Sequence, residues 1–146
     1  MGKKQTREWL MRAWNVDREI ETLKEAHLNI YAQWINTAER LGKLDPGIKK
    51  GLSSGAVFEA FTKLGEELSK SYLTLWNIKR ETIRAIEKVS DSTMRTLLLQ
   101  RFINYKTWEQ VAEYMNYSYS NVVHNMYPDA VNMMTEVLRF SESESK

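Results

Sequence analysis

Apolar positions in the first ninety residues recur at alternating steps of three and four. One series runs Trp9, Ala13, Val16, Ile20, Leu23, His27, Ile30, Trp34, Thr37, Leu41. A second runs Val57, Phe61, Leu64, Leu68, Ser71, Leu75, Ile78, Thr82, Ala85, Val89. This spacing keeps the residues on one stripe of an α-helix and is the periodicity of coiled coils. Each stripe is about 48 Å long at 1.5 Å per residue. Between them, GKLDPGIKKGLSSG (42–55) holds four of the six glycines and one of the two prolines and predicts a loop, with Ser53 or Ser54 able to cap the next helix. Equal stripes on either side of one loop predict a long antiparallel helical hairpin whose partner numbers add up to about 98. That register sets Trp9 beside Val89 and His27 beside Ser71, two polar residues able to satisfy each other. The alternative is a homodimer in which each helix pairs with another chain.

After residue 90 the rhythm changes to short elements. Ser90-Asp91-Ser92 marks a helix start, a helix is predicted over 93–103, and Asn104-Tyr105 ends it. Thr107 with Gln110 has capping-box spacing and starts another helix. Its apolar face is Trp108, Val111, Ala112 and Met115, with Ala112 small enough for a close helix crossing. Asn116 falls where the following turn needs a left-handed residue. Tyr117 is expected to plug the core beneath that turn, and Met126, Ala130 and Val131 continue a buried face. The pattern is that of a helix-turn-helix. One ambiguity sits in its second helix. Counting back from Met126 and Ala130 buries Val123, whereas counting forward from Ser118 as N-cap buries Val122. Either the turn is one residue longer, with Ser120 as cap, or the helix absorbs a bulge; the longer turn with Val123 buried is the expectation. Pro128 lacks a backbone donor and should kink or split the helix near Tyr127.

The chain is therefore expected to be all-α: residues 1–90 a coiled-coil-like hairpin with its loop at 42–55, residues 91–140 a helix-turn-helix domain, and SESESK (141–146) a frayed polar tail. The sparse glycine and proline agree with helix. The absence of cysteine excludes a disulfide framework and thiolate metal sites, and suits a reducing cytosol. No apolar run approaches the roughly 20 residues of a membrane span, and MGKKQTREW leads into no apolar stretch of the signal-peptide kind.

The net charge of +2 is unevenly spread: +1 over 1–41, +3 over 42–90 and −2 over 91–146. The helix-turn-helix half is the acidic half, and no lysine or arginine occurs from Thr107 to Met126. The outward face of its second helix carries Tyr119, Ser120, Asn121, His124 and Asn125. Asparagine can pair bidentately with adenine and serine is a permissive reader of bases. The cations that give affinity through counterion release must come from elsewhere. The hairpin register supplies them: Arg80, Arg84 and Lys88 step by four as one stripe, and Lys3, Lys4, Arg7 and Arg12, set beside residues 86–95, would join Lys88, Arg95, Arg101 and Lys106 in a basic collar near the helix-turn-helix, holding phosphates while the neutral helix reads bases. The plainer reading of the same residues is a solvated face, because Glu8, Glu81 and Glu87 are interspersed.

RFINYKTWEQVAEYMNYSYSNVVHNMYPDAV resembles the promoter-reading domain (region four) of bacterial sigma factors. It resembles more closely the small phage and prophage proteins that carry this domain, the ArpU/RinA kind of late transcriptional regulator. EWLMRAWNVDREI (8–20) is similar to the opening of one branch of that group. The resemblance implies a bacterial, cytoplasmic activator of late phage genes that binds double-stranded promoter DNA and helps host RNA polymerase there. It places Tyr119, Asn121, His124 and Asn125 toward the major groove and Lys106 and Thr107 against phosphate. The chain departs from the group in its neutral second helix and at Pro128. A second function class stays open: a protein-interaction module that contacts polymerase or another regulator through a tyrosine-rich acidic face. An enzyme is not expected, since His27 and His124 lie far apart and neither a metal-ligand cluster, a cofactor motif nor a Gly-rich phosphate loop occurs.

Overall fold

A computed structural model describes residues 1–44 and 56–144, and these are helical apart from short connections. The helices are α1 (Lys3–Leu10), α2 (Arg12–Leu44), α3 (Ala56–Glu87), α4 (Ser92–Phe102), α5 (Trp108–Met115), α6 (Tyr119–Asn121), a π-helical turn π1 (Val122–Met126) and α7 (Tyr127–Glu144). Most of the expected loop, including Ser53 and Ser54, lies outside the described residues, as do the side chains of Trp34, Leu41, Val57 and Phe61. Among the described residues no helix is long and apolar enough to cross a membrane.

The chain divides into two compact units, Met1–Asn15 with Leu75–Lys146, and Val16–Thr74. This division does not fall at residue 90. The reason lies in the core of the first unit, where Leu10 of α1, Ile86 at the end of α3 and Val89 just beyond it share one cluster with Leu97, Phe102, Val111 and Met134. Those seven side chains cannot be split between two domains without exposing apolar surface, at about 25 cal/mol for each Å².

Within the first unit, local sequence signals are realised where the side chain can reach its own backbone. Asp91 caps α4, its Oδ1 accepting from Thr93 N–H at 2.8 Å and Met94 N–H at 3.2 Å. Arg95 then reaches back and donates to the carbonyl of Val89, satisfying an acceptor just past the end of α3. The first rod is interrupted at Met11, which ends α1 and separates it from α2. Arg12, at the start of α2, donates to Glu81 at 3.4 Å and to Thr82 at 3.5 Å. Those partners lie about one helical turn from the position a sum of 98 assigns to Arg12. The expected register assumed one unbroken helix from Trp9 onward, and the break at Met11 removes that assumption.

The N-terminal helix is tied to the last one. Thr6 of α1 and Thr135 of α7, both buried, share a hydroxyl–hydroxyl hydrogen bond of 2.7 Å. Arg139 donates to the carbonyl of Met1 at 2.9 Å. The C-terminal segment expected to fray continues as helix to Glu144.

In the second unit the expected stripe is only partly covered. Ile20 is buried, but Leu23 and Ile30 are 42% and 63% exposed. Leu64, Leu68 and Ser71 are half-buried. No hydrogen bond joins His27 to Ser71 among the described residues. Periodicity selects the face of a helix that can be buried, and it does not determine how far along the helix a partner covers it.

Candidate nucleic-acid interface

The segment from Lys106 to Met126 is assembled from caps. Thr107 Oγ1 accepts from Gln110 N–H at 3.2 Å while Gln110 Oε1 accepts from Thr107 N–H at 3.0 Å, the reciprocal box expected from their spacing. Helix α5 buries Val111 and Ala112. It ends on Asn116 at φ 59° and ψ 38°, the left-handed conformation that asparagine tolerates best after glycine. Tyr117 N–H donates to Ala112 O and Asn116 N–H to Glu113 O, which together close a Schellman motif.

Ser118 opens the next helix, its Oγ accepting from Asn121 N–H at 3.1 Å. Thus Ser118 is the cap and Ser120 is not. Val122 is fully buried and Val123 only half-buried, against the expectation. The two conflicting counts are reconciled by π1: Tyr127 N–H donates to Val122 O, five residues back, and the extra residue is taken up there. Val122 on one side of the bulge and Met126 and Ala130 on the other can then all face the core. Pro128 follows directly. It has no N–H to donate, and helical conformation continues through it into α7 without the expected split. Tyr117 does not plug the core and is 46% exposed; the Schellman turn directs it away from the cluster that Val122 fills.

The residues picked out for base reading lie close together. Tyr119, Ser120, His124 and Asn125 are exposed and Asn121 is half-buried. Asn121 and Asn125 are linked, Asn125 Nδ2 donating to Asn121 Oδ1 at 3.0 Å. The pair still offers an amide donor from Asn121 and a carbonyl acceptor from Asn125. Tyr114 and Tyr117 add exposed aromatic rings beside the turn.

The phosphate-contact candidates make different contacts. Arg95 is used at the end of α3, as above. Arg101 donates to the carbonyl of Lys106 at 2.9 Å and lies 4.8 Å from the ring centre of Trp108. Lys106 Nζ stands 4.3 Å from the ring centre of Tyr114. These three therefore shape the first unit as well as carrying charge. Thr107 is exposed at the N-terminus of α5. Arg84 and Lys88 line a cavity with Leu138 and Glu142 near the C-terminal end of α7.

One cationic grouping was not visible in the sequence. Arg7 of α1 lies 5.7 Å from the ring centre of Tyr127. Tyr127 meets Trp108 edge-on at 4.6 Å, and Arg101 covers the other ring. Two guanidinium groups thus flank an aromatic pair beside the first turn of α5, each placed to gain cation–π attraction. Burial raises the pKa of the Tyr127 hydroxyl above its usual value, and the positive charges of Arg7 and Arg101 offset part of that rise. Nothing in the local sequence links Arg7 to Tyr127; only the packing of α1 on α7 does.

Among the described residues no group of three or more acidic or histidine side chains is placed to hold a metal ion. No family model matches the chain, and neither a curated protein nor a solved structure shows significant similarity to it.

Proposed function

We propose that this chain is a phage-type transcriptional regulator that binds double-stranded promoter DNA through residues 107–126 and assists host RNA polymerase in the bacterial cytoplasm. The long helices of 1–90 form an antiparallel hairpin that carries this reading unit. The observation that carries the proposal is the run of caps Thr107, Asn116 and Ser118, which holds two short helices about a tight turn and leaves Tyr119, Ser120, Asn121, His124 and Asn125 outward. The linked Asn121–Asn125 pair retains the donor and acceptor that an adenine edge requires. Arg7, Arg101, Lys106 and Thr107 lie along the entrance to α5 and supply phosphate contacts.

The test is selection from a random duplex library at low salt with the full chain. One enriched motif is expected, with affinity falling by about 0.9 log unit per phosphate contact for each log unit of salt. Asn121→Ala should change the motif without moving the melting curve. Retention of no duplex at low salt would end this reading.

A second reading is favoured by a specific observation. Tyr114, Tyr117 and Tyr119 are all about half exposed around a turn that lacks lysine and arginine. Such a surface suits a protein partner, since tyrosine is enriched in interfaces. It becomes the preferred reading if polymerase is retained on the immobilised chain and DNA is not.

A further inference from the structure

A cavity of about 470 Å³ opens in the first unit between α3, the start of the chain and the end of α7, with Trp9, Arg80, Arg84, Lys88, Leu138 and Glu142 among its lining residues. Its charges are not balanced. Arg80, Arg84 and Lys88 are exposed and make no ion pair or hydrogen bond among the described residues. The two carboxylates on the same wall are engaged, Glu81 by Arg12 at 3.4 Å and Glu142 by the amino group of Met1 at 3.8 Å. Trp9, Ala85 and Leu138 add a small apolar surface: Leu138 is 6% exposed, and the Arg12 guanidinium stands 4.2 Å from the Trp9 ring centre.

We propose that this cavity docks an acidic, amphipathic helical segment of a partner protein. The three cations step by four residues along α3, so their heads repeat about every 6 Å. Carboxylates at i and i+4 on a partner helix repeat at the same interval. An apolar side chain between them fills the Trp9–Leu138 wall. A nucleic-acid backbone matches the charge but offers no apolar group for that wall. The inference does not depend on whether residues 107–126 read DNA.

The test is selection of random 12-residue peptides on the immobilised full chain, followed by anisotropy titration of the enriched peptides. Enrichment of sequences with carboxylates four apart and an apolar residue between them is expected. Binding should fall at least tenfold for Arg80→Gln/Arg84→Gln/Lys88→Gln. It should be retained by Lys24→Gln/Lys63→Gln/Lys70→Gln, which removes the same charge from exposed positions elsewhere. Replacing the apolar peptide residue by serine should also weaken binding at least tenfold. No enrichment, an equal loss in both triple variants, or displacement of the peptide by random-sequence duplex DNA would overturn the proposal, the last by assigning the cavity to nucleic acid.

Discussion

Thr6 and Thr135 lie 129 residues apart in the chain, and their hydroxyl oxygens are 2.7 Å apart in the interior. Each hydroxyl has one proton and two neighbours: besides the other threonine, Thr6 approaches Gly2 O at 3.0 Å, and Thr135 approaches Val131 O at 2.7 Å. A consistent arrangement has one threonine donating to its own helix and the other donating across. Either single change to valine strands one polar group and should cost about 1–2 kcal/mol. The double change Thr6→Val/Thr135→Val removes both groups and should cost less than the two singles summed. Thermal melts of the four proteins measure the coupling, and strict additivity would show that the contact contributes nothing.

The π turn makes a prediction about deletions. Removing exposed His124 should convert π1 to α-helix and keep Val122 and Met126 on one face, since residues three apart share a face of an α-helix. The variant should melt within a few degrees of the parent. Removing exposed Asn132 instead rotates Met134, Thr135 and Leu138 out of the core and should abolish cooperative melting. Equal behaviour of the two deletions would show that the bulge does not set the register.

Ala112 is 5% exposed, and the Schellman turn closes onto its carbonyl. Ala112→Arg places a long charged side chain where no space exists and should unfold the C-terminal helices while much of the far-UV helical signal survives in α2 and α3. Circular dichroism with amide exchange separates the two. Uniform protection across α4 to α7 in the variant would contradict the packing described.

Tyr127 predicts a pH dependence. Its folded-state pKa is raised above 10.0, the unfolded value. The stability tied to it is fully present below about pH 10 and is lost as pH rises through the folded pKa. Tyr127→Phe should therefore lose less stability than the parent between pH 9.5 and 11. The parent-minus-variant ultraviolet titration should show a tyrosine that ionises late. A difference titration centred at or below 10 would refute the burial argument.

The local grammar of this protein was legible in its sequence. Asp91, the Thr107–Gln110 box, left-handed Asn116 and small Ala112 each act through neighbours within a few residues, where chain connectivity leaves few alternatives. Even the anomaly around Val122 and Val123 was present as two counts that could not both hold in an α-helix. The outward residues of the candidate reading face follow from the same local rules.

What tertiary structure alone decided is which distant pieces meet. The π turn takes up the extra residue, so that Val122 and Met126 are both buried. The docking of α1 on α7 placed Thr6 against Thr135 and Arg7 over Tyr127. It also set Trp9 and Leu138 in one cavity wall with Arg84 and Lys88. Periodicity states which face of a helix seeks burial, but apolar contacts are non-directional, and many pairings satisfy them almost equally. The one that forms depends on the fit of side chains more than a hundred residues apart, which no local pattern encodes.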